Sequence, residues 1–143
     1  MGILTGAARE FVDIHRIARL ATASSDGEPH AIPFCYARIG DCIYFVIDGK
    51  PKRTNRDLKR LQNIRANPKV ALVIDDYDDD WTQLAYLLLH GKAVIVDDVA
   101  EFAETLQLLR VRYSQYVEMP LTIESNPMVR IKVERMRLWR HGK

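Results

Sequence analysis

Residues 17–47, IARLATASSDGEPHAIPFCYARIGDCIYFVI, decide the architecture. Residues 17–23 read as a strand. Ser25-Asp26-Gly27 is a turn signal, because glycine accepts positive φ without a steric cost. A second strand runs from about residue 30 to 38. Pro33 lies inside it, and a residue that cannot donate to the ladder restricts that strand to a sheet edge or a bulge. Gly40-Asp41 turns the chain again. Residues 42–47 form a third strand, rich in β-branched and aromatic side chains.

Working outward, residues 6–15 read as a helix, with Thr5 as a candidate cap and Phe11 and Ile14 on one face. On the other side, Asp48-Gly49-Lys50-Pro51 breaks the third strand. A helix follows over about 54–66, with Leu58, Leu61 and Ile64 as its apolar stripe and Pro68 marking its end. Residues 70–74 are a short apolar strand, 75–80 an acidic turn, and 84–96 a long strand interrupted at Gly91. Asp98 caps a further helix, and Glu101 stands at the spacing of a capping box. Val99, Phe102, Leu106, Leu109 and Tyr113 repeat at helical spacing, so one face of this helix covers the core. Val129, Ile131 and Val133 alternate with Arg130, Lys132 and Glu134, a strand with one buried face. The order is αβββαββαβ. Six strands, mostly joined by tight connections, imply an antiparallel sheet, and closure into a small barrel removes its exposed edges.

Residues 1–143 fit one domain. A chain of this length buries roughly two-thirds of its unfolded surface, so it needs no disulfide or metal staple. With 48% hydrophobic and 28% charged residues it is globular rather than disordered. No apolar run reaches the roughly 18 residues of a membrane span. Met1-Gly2-Ile3-Leu4-Thr5 lacks the basic start and apolar block of a signal peptide. Cys35 and Cys42 fall on one hairpin as diagonal neighbours about 7 Å apart, too far for an unstrained bridge. They read as free thiols, small apolar residues of a sheet in a reducing, cytoplasmic compartment.

The charge is concentrated. The chain carries a net +2, yet residues 50–69 hold eight bases (Lys50, Lys52, Arg53, Arg56, Lys59, Arg60, Arg65, Lys69) against one acid, Asp57. A positive segment in an otherwise slightly acidic chain points to a local anion site. The segment lies between a strand and a helix start, where outward-pointing N–H groups and the helix dipole add to the charge of Lys50, Lys52 and Arg53. Phosphate suits all three devices. The plainer alternative is a solvated basic loop. His15, His30, His90 and His141 stand apart, with no His or Cys at ligand spacing. The Asp75–Asp80 run lacks the spacing and late Glu of a calcium loop and reads as a solvated turn. There is no nucleophile elbow, Walker loop or G-x-G-x-x-G.

Leu20-Ala21-Thr22-Ala23, Asp26-Gly27-Glu28-Pro29-His30 and Pro33-Phe34-Cys35-Tyr36, in that order, resemble the opening of the pyridoxamine-phosphate-oxidase-like split barrels. Tyr44-Phe45-Val46, Lys50-Pro51-Lys52-Arg53, Asn63-Ile64-Arg65-Ala66-Asn67-Pro68-Lys69-Val70 and Trp81 before a long strand continue the likeness, over about residues 10–96. The resemblance implies an α+β, mainly β fold: a six-stranded antiparallel split β-barrel of the FMN-binding type. It implies a homodimer with a flavin-type cofactor in each inter-subunit cleft, FMN or the deazaflavin coenzyme F420, and it is closest to the deazaflavin-dependent branch. By position, Lys52 falls where the family places a phosphate-binding Lys, and Phe45 and Val46 where strand backbone meets the ring. Pro51 stands where the FMN oxidases carry Arg, and Ala85-Tyr86 replaces an Arg-Gln pair. Arg53, Arg56 and Arg60 suit the longer anionic tail of coenzyme F420. The cofactor-binding candidates are therefore Pro33, Phe45, Val46, Lys50, Lys52, Arg53, Arg60 and Trp81, with Trp81 and Tyr36 as either pocket or core aromatics.

These readings converge on an F420-dependent oxidoreductase that moves a hydride between the deazaflavin and a small unsaturated substrate, the cofactor doing the chemistry. An FMN enzyme of the same fold and a non-enzymatic flavin or tetrapyrrole binder are the alternatives. Nucleic-acid binding through Arg56, Lys59, Arg60 and Arg65 is disfavoured by the near-neutral net charge.

Overall fold

The structure is a computed structural model, and residues 2–48 and 58–142 are described. The elements in chain order are α1 (Gly6–Ile14), β1 (Ala18–Ala23), β2 (Pro29–Phe34), β3 (Ala37–Ile39), β4 (Cys42–Val46), α2 (Lys59–Ala66), β5 (Lys69–Asp76), β6 (Ala85–Ile95), α3 (Val99–Arg112) and β7 (Met128–Arg140). Every strand pairing is antiparallel, in the order β2-β1-β5-β6-β7-β4-β3.

Seven strands replace the expected six because the second predicted strand breaks at Cys35-Tyr36. Its halves, β2 and β3, lie at opposite ends of the sheet order. Two residues cannot span a flat seven-stranded sheet whose neighbours are roughly 4.8 Å apart, so the sheet curls until its edges meet. That is a split barrel, with β2 and β3 flanking the split. Pro33 lies on the edge strand β2, where its missing N–H breaks no ladder.

The split is tied by one phenol. The Tyr113 hydroxyl, at the end of α3, accepts from Tyr36 N–H at 3.1 Å and from Arg112 Nε at 3.1 Å. It lies 2.8 Å from Arg16 O and 3.1 Å from Tyr36 O, either of which can take its proton. The Tyr36 hydroxyl contacts Val12 O and His15 O at 2.7 and 2.9 Å. Tyr36 is thus core, with 1% of its surface exposed. Burial pushes its phenol well above the ordinary range.

The barrel interior holds the larger core, with Phe11, Leu20, Ile43, Leu72, Leu87 and Ile131 among its members. A second cluster lies between α3 and the outer side of β3 and β4, around Phe102, Leu106, Leu109 and Tyr44. Several local expectations are corrected. Ile14 points to solvent while Phe11 is buried, because the end of α1 extends past the core. Val99 is likewise exposed, being at the first turn of α3 beyond the sheet. Asp98 does cap α3, accepting from Ala100 and Glu101 N–H. Glu101 does not return the bond: its carboxylate accepts from the Tyr44 hydroxyl at 2.6 Å and from Arg130 at 2.7 and 2.9 Å, pinning α3 to the sheet. Cys42 pairs with Ile39, four residues beyond Cys35, so the cysteines are not diagonal neighbours. Both are free, and burial raises both thiols.

The final strand is much longer than its sequence alternation indicated. The β6·β7 register shifts between His90 and Gly91: Gly91 pairs with Val133 and His90 with Arg135, leaving Glu134 as a bulge. Val129, Ile131 and Val133 face inward before the bulge; after it Leu138, opposite Leu87, packs against the core, while Met136, opposite Leu89, is exposed. The inserted residue hides the period of two.

Candidate functional site

The site is assembled where β4 ends. β3 pairs only with Cys42–Tyr44, so Phe45 and Val46 have β7 on one side and no strand on the other. That half-open edge leaves backbone N–H and C=O groups that a ligand can use. Both side chains are buried; the Phe45 ring meets Phe34 edge-on at 5.2 Å, which brings the neighbour of Pro33 onto β4 across the split. Ile47 is fixed on both faces of its peptide: its N–H donates to Pro127 O at 2.8 Å and the Asn126 amide donates to its carbonyl at 3.0 Å. The chain therefore leaves β4 along a set path into Asp48 and the basic segment.

Lys50, Pro51, Lys52, Arg53 and Arg56, and the expected start of the helix at residues 54–57, lie outside the described residues. The next predicted contact, Arg60, is in the first turn of α2. α2 is locked to the barrel by Leu61 and Ile64 and by a buried amide–hydroxyl pair, Asn63 Nδ2 donating to Thr22 Oγ1 at 3.0 Å. The Arg60 guanidinium is half-buried, and burial lowers its pKa while the Asp48 carboxylate opposes the shift. Its Nε is buried and has no hydrogen-bond partner among the described residues. A buried donor without an acceptor costs about 1–3 kcal/mol, more for a charged group, so an N–H in this state fits a ligand oxygen. The unpartnered N–H is a donor of the kind the charge of the basic segment also favours for an anion.

Trp81 is elsewhere. It lies on a short 3-10 turn before β6 and is 64% exposed. Val46 pairs with Met128, and Ile95 with Val129, whereas Ala85 pairs with Arg140. The eleven residues of β6 separate Trp81 from the exit of β4, roughly 35 Å of strand. Phe34, next to Pro33, meets Phe45 beside Val46, and Arg60 feels the Asp48 carboxylate two residues past Val46; Trp81 is apart from all of these.

A groove of about 310 Å³ opens at the same end of the sheet, lined by Ile64, Arg65, Pro68, Ala93, Val94 and Ile95. Tyr116, which no sequence pattern singled out, also reaches the site: burial and then the Asp48 carboxylate raise its phenol. The acidic turn is spent on structure, with Asp75 paired to Arg19 at 3.2 Å, Asp76 to His15 at 2.6 Å, and Asp80 capping Thr82. Among the described residues, no group of three or more His, Cys, Asp or Glu is placed to hold a metal ion. No helix among them is long and apolar enough to cross a membrane.

Comparison with known proteins agrees with this fold. No curated protein matches the chain. Among solved structures it is similar to the conserved hypothetical protein Rv2991 from Mycobacterium tuberculosis, at 26% identity over 98% of this chain and 88% of that one, with a TM-score of 0.75. It is also similar to an F420 reductase (23% identity, 93% and 98% covered, TM-score 0.65). The heme storage protein HutZ from Vibrio cholerae shares the fold at 15% identity, with 99% and 96% covered and a TM-score of 0.71. The pyridoxamine 5'-phosphate oxidase family matches residues 4–140, nearly the whole barrel, and the chain belongs to that family.

Proposed function

We propose that this protein binds coenzyme F420 and is an oxidoreductase that transfers a hydride between that deazaflavin and a small unsaturated substrate. The observation that carries the reading is the buried Nε of Arg60, without a partner among the described residues and a few residues along the sequence from Lys50, Lys52 and Arg53. Such a run of bases in the sequence suits a phosphate-bearing tail. The half-open edge at Phe45 and Val46 offers backbone groups to the ring, and a largely apolar groove opens at the same end of the sheet. The bound deazaflavin supplies the hydride chemistry. The likeness to an F420 reductase supports the choice of cofactor. FMN is the alternative in the same place.

The assembly proposed is a homodimer with a cofactor at each interface. The outer face of β6 and β7 supports it: Tyr86, Leu88 and His90, opposite Trp139, Arg137 and Arg135, form a partly apolar surface. Trp81 joins the site only if it comes from a second copy of the chain. Free thiols at Cys35 and Cys42 suit a cytoplasmic location. A non-enzymatic tetrapyrrole carrier is the second reading, favoured by the shared fold of a heme storage protein.

Titration of the purified protein with coenzyme F420, FMN and hemin, followed by fluorescence and absorbance, tests the reading. Tight F420 binding is expected, and Lys52→Ala weakens it about 10- to 100-fold, as loss of a charged phosphate contact does. Preference for FMN moves the protein to the flavin alternative. Hemin binding with no response to either flavin type supports the carrier instead.

A further inference from the structure

α1 and α2 pack with the barrel core, and α3 lies outside β3 and β4. Among the described residues, no helix covers the outside of β5, β6 and the adjoining part of β7. The two ends of that face carry opposite charge. At one end Lys69, Lys92 and Lys132 stand directly opposite one another across three strands, all exposed. Like charges in one row destabilise a sheet. Glu134 offsets little of this: it is 3.9 Å from Lys92, and both side chains are more than half exposed. The row at the other end, about 20 Å away along β6, is Asp75, Tyr86 and Trp139, with the two rings stacked at 5.6 Å. The turn that bears Asp78, Asp79 and Asp80 follows it. Val73 and Leu88, half-buried, lie between the ends.

Two copies of one face meet about a two-fold axis, and sheets packed face to face keep their strands nearly aligned. Only two operators remain. An axis along β6 sets lysine row on lysine row and acidic turn on acidic turn. An axis across β6 reverses the partner's strands and sets each lysine row on the Asp75 row of the other copy. Lys69 then meets a carboxylate, and Lys92 and Lys132 meet the stacked pair of rings, which attract cations. Arg135 and Arg137 stand at the margin, beyond the part of β7 that pairs with β4, where water screens them.

We infer that a second copy of this chain docks on the outer face of β5, β6 and β7 about an axis that crosses β6, held by lysine-to-Asp75-row contacts at both ends. The inference rests on the homodimer proposed above and fixes its geometry. The same operator carries the partner's Trp81, just before its β6, toward the end of this chain's β6, where Val94 and Ile95 line the groove. Each groove is then completed by the other copy.

One variant separates the operators by sign. Lys69→Ala/Lys92→Ala removes attraction if the axis crosses β6 and removes repulsion if it runs along β6. Sedimentation equilibrium of the full chain is expected to show the dimer dissociation constant raised about tenfold, four modest contacts being lost at once. Added salt is expected to weaken the wild-type dimer in the same direction. Both lysines are exposed, so the variant folds, and its melting temperature checks this. A wild-type dimer whose affinity is unchanged or increased in the variant overturns the inference while the homodimer stands. A wild type of one-chain mass at micromolar concentration overturns both.

Discussion

Glu101 shows how one side chain can leave its sequence role for another. At the third position of α3 it stands where a capping box puts its glutamate, yet the Tyr44 hydroxyl and the Arg130 guanidinium compete for it. Two donors to an ionised carboxylate outweigh one backbone N–H that water can also satisfy. The hydroxyl first, and then Arg130, hold its carboxyl below the ordinary value of 4.5. Because the folded value is depressed, the stability Glu101 contributes is complete above its unfolded pKa and is lost as pH falls through the folded one. Glu101→Gln is therefore expected to lower stability by about 1 kcal/mol at pH 7. The gap to wild type should narrow as pH falls below 4.5 and through the depressed folded value, as urea denaturation across that range would reveal. A gap of the same size at low pH would mean that packing, not charge, sets the effect.

At the scale of elements, the bulge on β7 governs how the longest strand pair fits. A Cβ added at Gly91 would sit 2.2 Å from Lys132 O, a backbone atom that cannot swing away. Gly91→Ala therefore forces the bulge to move, at a cost of about 1–3 kcal/mol or more, the usual range for overpacking. A melting temperature unchanged from wild type would show that the strands slide freely there. The interruption at Gly91 was legible in the sequence, because a glycine inside a strand marks a bulge or close approach. The extra residue, Glu134, was not, since it sits in the partner strand and its effect is only to reverse the alternation after it.

For the molecule as a whole, the split is the feature that matters. Closure rests on Tyr113, whose hydroxyl serves segments from α1, the β2–β3 corner and α3. Tyr113→Phe leaves the Tyr36 N–H without its acceptor, so a loss of about 1–3 kcal/mol is expected. Faster amide exchange should be concentrated at β2 and β3; uniform exchange across the sheet would contradict this. The proposed dimer has its own check. Leu88→Glu sets a carboxylate in the middle of the β6–β7 outer face, and light scattering should then report the mass of one chain instead of two. A wild type of one-chain mass at micromolar concentration would remove the interface proposal without touching the fold.

The sequence alone determined the antiparallel class, the helices and most strands, because hydrophobic period, Gly and Pro punctuation and caps act between near neighbours. It also determined that charge collects at residues 50–69, since charge is a property of the residues themselves. Tertiary structure decided the rest. Which edges meet across Cys35-Tyr36, why Arg60 Nε has no acceptor among the described residues, and how Tyr113 reaches Tyr36 from 77 residues away all depend on how the sheet curls. Curling sums small twists over seven strands, and no local pattern encodes that sum.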